Sequence, residues 1–414
     1  MAEDLFSFEA QPQSRKKGSY SAQDILYLFE DTEVAFQHKS DFDLNGSYIL
    51  FRMMNNVVVS KLGTALTEMA FQMLLPVDFF VKYTLFRQFC GGETLKESED
   101  TVGMLAKYNV SSILDYSSEG TIGEDGLDRA ASSILETLEY AKTNQNVPFI
   151  VFKPSGIIRF ELLEMLSAGV ELNASQQAEF HRAKRRFKLL CKSAHEAGIP
   201  VMVDAEETWI QPAIDWLTKE MMAEFNTEKC IVYGTYQMYL KDRMDVLKAD
   251  YQEAKSGGYY LGVKLVRGAY MHKERRRAEE RGYDSPIQNT KEDTDKAFDK
   301  ALDYCGMNYE RIAICAGTHN EQSVARLVEL MRLNQIPADH PHIVVSQLYG
   351  MGDHISFNMA DLGYNVSKYV PYGPVKAVMP YLLRRAEENS SLMGHVSREL
   401  RLLDAEMTRR NLPH

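Results

Sequence analysis

The stretch "PYLLRRAEENSS", Pro380 to Ser391, carries Tyr381, Arg384, Arg385 and Glu388 at i, i+3, i+4 and i+7, which is one face of a helix. By residue type alone the commoner reading is a solvated face with an Arg–Glu pair. Two adjacent guanidinium groups suit a sharper task, because each offers a planar fork that grips a carboxylate or phosphate bidentately. Lys153 favours the sharper reading. It follows Phe149, Ile150, Val151 and Phe152, so its ammonium emerges from an apolar strand, where a lone cation is costly unless an anion meets it. If the helix covers Lys153, three cations converge on one small anion. No glycine-rich phosphate cradle stands between a strand and a helix, which favours a carboxylate. Leu348, Tyr369, Tyr372 and Tyr381 can wall a compact, partly apolar ligand whose charged end faces the arginines.

Other constellations carry less. Asp204, Glu206 and Glu207 in "VDAEE" and His319 in "GTHN" are metal-ligand types. Asp204 and Glu206 point the same way on a strand, however, and no second histidine stands at ligand spacing, so no metal is expected. The Thr318-His319-Asn320 trio more naturally offers hydrogen bonds to a bound polar cofactor. No Ser-His-Asp or Cys-His arrangement is suggested locally, and "GTYQ" and "SSEG" are not nucleophile elbows. A general base is also missing. Chemistry that needs only orientation and an electron sink belongs to a cofactor.

The elements that must position these groups follow from texture. Eight β-type runs occur: "SSILDYS", "PFIVFKP", "PVMVDAE", "CIVYGTY", "GVKLVRG", "IAICAGT", "IVVSQLY" and "VSKYVPYG". Most are nearly continuous in apolar residues, as strands buried on both faces are. Amphipathic stretches such as "QQAEFHRAKRRFKLLCKSAHEAG" and "NEQSVARLVELMRLNQ" separate them. The pattern predicts an α/β fold, a (β/α)8 barrel over 93–414. A polar tail over 1–20 and a helical arm over 21–92, broken at Pro76, precede it. Sites in such barrels sit at the strand C-terminal ends. In this chain those ends read Asp115, Lys153, Asp204 with Glu206, Tyr236 with Gln237, Arg267 with Tyr270, Thr318-His319-Asn320, Tyr349, and Tyr369 with Tyr372. All turn polar while the strand bodies stay apolar.

Composition excludes several classes. The chain has 414 residues, 45% hydrophobic, with a net charge of −11. Its strongest basic run, "KERRRAEER", alternates with glutamate as a solvated helix does, so nucleic acid is not an expected partner. Five scattered cysteines without CxxC spacing fit reduced thiols in a cytosol-like compartment. The acidic start "MAEDLFSFEA" matches no signal or transit pattern, and no apolar stretch is long enough to span a bilayer. A cytoplasmic protein, with peripheral contact at the inner membrane, is expected; a mitochondrial protein shorn of its leader fits the same residues. At this level a cofactor-dependent oxidoreductase, a non-catalytic carboxylate-binding barrel and a metal-dependent barrel hydrolase on Asp204, Glu206 and His319 all stand.

At "YVPYG" followed by "YLLRRAEEN", with "KLVRGAY", "VMVDAEE", "GTHN" and "QLYGMGD", the chain resembles the proline dehydrogenase family over approximately residues 80 to 395. The resemblance implies a distorted (β/α)8 TIM-type barrel whose last helix lies over the strand C-terminal ends. It implies FAD as cofactor, L-proline as substrate, 1-pyrroline-5-carboxylate as product and a membrane quinone as electron acceptor. Carried over position by position, Arg384 and Arg385 look like the carboxylate clamp with Lys153 as third cation, and Leu348, Tyr369 and Tyr381 like the wall around the ring. Lys264, Val266, Arg267, Gly268 and Ala269 look like a line of flavin contacts, joined by Thr318, His319, Asn320, Asp204, Gln237 and Glu388. Bifunctional bacterial relatives carry arginine at the position of Lys264 and glutamine at that of Gly234. Hydroxyproline-preferring relatives carry serine at Tyr369. A tyrosine fills the space that a ring hydroxyl needs, so the resemblance implies proline as substrate, with hydroxyproline the alternative.

Overall fold

The computed structural model describes residues 20–55, 81–117, 123–391 and 393–413, and within these the side chains of 386–391 and 393–396 lie outside the description. Pro76 falls outside the described residues.

Eight parallel strands close into a barrel in sequence order: β1 (Ser111–Tyr116), β2 (Phe149–Phe152), β3 (Val201–Val203), β4 (Val232–Gln237), β5 (Leu261–Val266), β6 (Ile312–Gly317), β7 (Ile343–Leu348) and β8 (Val366–Tyr372), with β8 pairing back on β1. Each apolar run of the sequence is one of these strands. The reason for their continuous hydrophobicity lies in the two faces. In β5, Leu261, Val263 and Leu265 join the layer between strands and outer helices, while Gly262, Lys264 and Val266 alternate to the inside. The inside is filled by Ile113, Phe149, Val151, Met202, Tyr233, Ala313, Cys315, Val344 and Tyr369, so the barrel is a packed core and not a pore. All five cysteines are buried and free.

Capping fixes where two long helices begin. Asn173 and Gln176 form a reciprocal capping box at the helix Ala174–Ala197, which ends on Gly198 at φ +70°. The Asn320 side chain accepts from Ser323 N–H and opens the helix Glu321–Leu333. Asn320 is therefore fixed in place by the helix it caps.

The helix bearing the paired arginines runs Val375–Ser391, with Pro380 inside it. It begins earlier than the sequence suggested, and it is not the last helix. A further one, Met393–Arg409, follows and packs against Asp41–Asn55 of the N-terminal segment. Together these elements form a second apolar core of Phe36, Leu44, Phe51, Phe89, Val378, Leu382, Leu402 and Met407. That core holds the capping helix from behind. The preceding segment is also tied to the barrel, since Gly91 N–H donates to the Pro371 carbonyl at 2.9 Å. Among the described residues, no helix is long and apolar enough to cross a membrane.

Candidate active site

A cavity of about 280 Å³ opens at the C-terminal ends of the strands. Lys153, just past the end of β2, lines it with Leu348 of β7 and Tyr369 of β8, and Tyr381, Arg384 and Arg385 line it from the capping helix. The opposite wall is Lys264, Val266, Arg267, Gly268 and Ala269, with Asp204, Gln237, Thr318, His319 and Asn320. Every residue to which the family resemblance gave a role lines this one cavity except Glu388, whose side chain lies outside the described residues. Tyr270, named at a strand end but given no role, lines it as well, and so do Ser346, Gln347 and Met351, which the sequence reading left out. Tyr270 sits at a strand end, and Ser346 and Gln347 interrupt an apolar run, so each had a signal. Met351 had none.

At the centre is a buried cluster of opposite charges. Asp204 Oδ1 accepts from Lys264 Nζ at 2.6 Å, and its Oδ2 accepts from Lys153 Nζ at 3.0 Å and from the Tyr369 hydroxyl at 2.8 Å. Lys153 Nζ also reaches Asp115 Oδ2 and the Tyr369 oxygen, both at 3.1 Å. The Tyr369 ring lies beneath both ammonium groups, 4.6 Å from Lys264 Nζ and 5.7 Å from Lys153 Nζ. Burial pushes the Asp204 carboxyl up, but the two flanking ammonium groups outweigh it and hold Asp204 well below the usual carboxylate range. Asp115 moves the other way, because burial and the neighbouring Asp204 together exceed the pull of Lys153. Burial opposes the charge on Lys153, yet Asp115, Tyr369 and Asp204 raise it well above an ordinary lysine.

On the wall of Arg267 and Thr318 the polar groups are fixed by one another. Arg267 donates to Asp295 at 2.6 Å, to Thr318 at 2.7 Å and to Ser323 at 3.1 Å, with its guanidinium 4.4 Å from the Phe298 ring centroid. His319 Nε2 accepts from Leu348 N–H at 3.2 Å, and Gln237 Nε2 donates to the Glu206 carbonyl at 2.7 Å. Gly268 has φ +132°, and a Cβ there would sit 2.5 Å from the Tyr239 ring, so only glycine fits. On the other side, the Arg385 guanidinium lies 5.2 Å from the Tyr381 ring centroid and that of Arg384 5.9 Å from the Tyr270 centroid.

Several expectations need correction. Tyr236, Tyr349 and Tyr372 do not face the cavity. Tyr236 donates to Asp250 at 2.8 Å and Tyr372 pairs with Thr137 at 2.7 Å, both in the outer layer, because each stands an odd number of residues from an inward side chain. Tyr349 instead lines a separate cavity beside the N-terminal helices. Glu206 does not share a side with Asp204 either: β3 stops at Val203, and Glu206 turns to the Ser155 backbone and hydroxyl. Its carboxyl is pushed up to about 7, chiefly by burial. Asp204 and Glu206 thus face different partners, and among the described residues no three His, Cys, Asp or Glu side chains gather where a metal ion could be held.

The donor set fits a flat, polar cofactor. Small residues, Gly268, Ala269 and Gly317, leave one wall open to a ring face. Lys264 offers a buried cation beside it, and Thr318 and Asn320 stand at a helix N-terminus, where backbone donors favour anionic groups.

A protein-family model described as "Proline dehydrogenase" matches residues 98–398. "Carbapenem antibiotics biosynthesis protein CarD" of Pectobacterium carotovorum subsp. carotovorum is 38% identical over 78% of this chain and 83% of its own length. "Proline dehydrogenase 1, mitochondrial" of Dictyostelium discoideum is 34% identical over 81% of this chain, which spans 66% of that relative. "Hydroxyproline dehydrogenase" of Xenopus laevis is 30% identical over 91% of this chain and 88% of its own. Among solved structures, proline utilization A from Bdellovibrio bacteriovorus inactivated by N-propargylglycine superposes with a TM-score of 0.70 at 19% identity. The match covers 89% of this chain and 41% of that one, a likeness of fold.

Proposed function

This chain belongs to the proline dehydrogenase family, and we propose that it oxidises L-proline to 1-pyrroline-5-carboxylate with FAD as hydride acceptor and a membrane quinone as the final acceptor. The observation that carries the reading is the convergence of Arg384, Arg385 and Tyr381 with Lys153, Leu348 and Tyr369 around one cavity.

Arg384 and Arg385 bind the carboxylate by charge-assisted hydrogen bonds, which fixes one end of the zwitterion. Leu348, Tyr369 and Tyr381 hold the ring and keep water from the reacting carbon. The cofactor, when bound, supplies the electron sink that takes hydride from the ring carbon next to nitrogen. Lys264, Val266 to Ala269, Thr318 to Asn320, Gln237 and Asp204 would hold it, with Glu388 on the capping helix. The nitrogen lone pair stabilises the cation that develops on the ring, so the protein chiefly positions and desolvates. Lys153 has its three N–H groups spent on Asp115, Asp204 and Tyr369, so its part in the clamp requires one of these to yield.

Purified protein should be yellow and should bleach when L-proline is added without oxygen. A colourless protein carrying stoichiometric metal, or a flavin that proline leaves oxidised, overturns the reading. The hydroxyproline alternative is favoured by the Xenopus relative and opposed by the bulk of Tyr369; the ratio of bleaching rates with the two amino acids decides. We place the protein at the membrane surface, in the cytoplasm or, as the Dictyostelium relative is described, in the mitochondrion.

A further inference from the structure

Resting on the carboxylate-clamp reading above, we propose that Asp115 is a positioning residue that sets substrate affinity, by holding the Lys153 ammonium back from the incoming carboxylate. Asp115 lies near the C-terminal end of β1, opposite Val151 of β2 and Pro371 of β8. Its side chain is buried and does not line the cavity, whereas Lys153 does. Lys153 is thus the link between the two.

An ammonium has three hydrogens to donate. Those of Lys153 go to Asp115 and the Tyr369 oxygen at 3.1 Å and to Asp204 at 3.0 Å. A substrate carboxylate gains Lys153 only by displacing one of them. The three are not equal. The Tyr369 oxygen is neutral, and Asp204 is already held by Lys264 at 2.6 Å and by the Tyr369 hydroxyl at 2.8 Å. Asp115 has Lys153 as its one ion-pair partner among the described residues. The buried carboxylate and the substrate carboxylate therefore compete for the same cation. The quartet Asp115, Lys153, Asp204 and Lys264 is formally neutral, and neutralising Asp115 leaves a net positive floor beneath the arginines.

The test uses the flavin-loaded enzyme and Asp115→Asn. KM for L-proline should fall by about fivefold or more, as expected when one like charge is removed at short range from a bound anion. Cyclopentanecarboxylate, which has the carboxylate but no oxidisable amine, should bind more tightly by a similar factor, read from the perturbed flavin absorbance. L-prolinamide, which lacks the carboxylate, should gain nothing. Asp115→Glu, which keeps the charge, should stay near the wild-type KM. If Asp115→Asn fails to accumulate as folded protein, Asp115→Ser removes the same charge and should shift the same constants. Unchanged or weakened carboxylate binding in the charge-removing variant overturns the proposal, and so does an equal gain for prolinamide. Wild-type enzyme that proline does not bleach counts instead against the dehydrogenase reading, and the cyclopentanecarboxylate measurement still decides the role of Asp115.

Discussion

Lys264 Nζ stands 2.6 Å from Asp204 Oδ1, joining β5 to the end of β3 across strand β4 that separates them. Both side chains are buried, and Asp204 is the point where Lys153, Lys264 and Tyr369 meet. The pair organises the barrel mouth before any ligand arrives. Removing one partner of a buried pair costs about 3–5 kcal/mol, because the other charge is left uncompensated. Lys264→Met should lose stability on that scale in urea unfolding. Lys264→Met combined with Asp204→Asn should lose less than the two single changes summed. Strict additivity would show that the two side chains act independently.

Arg385 is buried beside Tyr381; under the proposed clamp, truncating it leaves the substrate carboxylate poorly paired. Loss of one member of such a pair costs about 2–5 kcal/mol, which is a rise of roughly 30-fold or more in the proline concentration needed. Arg384→Met and Arg385→Met should each show it in steady-state kinetics, with flavin largely retained in Arg384→Met. Kinetics equal to wild type in Arg384→Met would remove that residue from the clamp.

Tyr369 presents its ring to two ammonium groups and its hydroxyl to Asp204. Tyr369→Ser opens room for a ring hydroxyl and should shift the ratio of kcat/KM values toward hydroxyproline. An unmoved ratio would place the substrate ring elsewhere. The same change removes one acceptor from Lys153.

Glu206 is an acid whose carboxyl is pushed from an ordinary 4.5 up to about 7 in the folded protein. The folded state therefore holds this proton more tightly than the unfolded chain does. Its contribution to stability is full below pH 4.5 and is lost as pH rises through about 7. Glu206→Gln cannot ionise and escapes that loss. The stability of the variant relative to wild type should climb between pH 4.5 and 7, by up to about 3 kcal/mol, and then level off. Unfolding curves at pH 5 and pH 8 measure it, and a difference that does not change with pH would contradict the assignment.

Periodicity made the barrel legible. Eight apolar runs separated by amphipathic stretches are eight strands and their helices, since a strand buried on both faces must be apolar throughout. The face shared by Tyr381, Arg384 and Arg385 was equally readable, because helix geometry relates residues only three and four apart. Tyr372 shows the limit of this local reading. Its position at a strand end suggested the mouth, but three residues from Tyr369 on a period of two it faces Thr137 in the outer layer.

The chain by itself determined which residue types reach the strand ends and which cations share a helix face, because those relations are local. The folded arrangement alone decided how the charges are paired. Lys153 finds Asp115 and Asp204, 38 and 51 positions away, and Tyr369 finds Asp204 across 165 positions. Glu206 turns to Ser155 because β3 stops short of it. Such partners are set by barrel closure, which brings distant strand ends within a few ångströms in a medium where every buried charge must find its opposite.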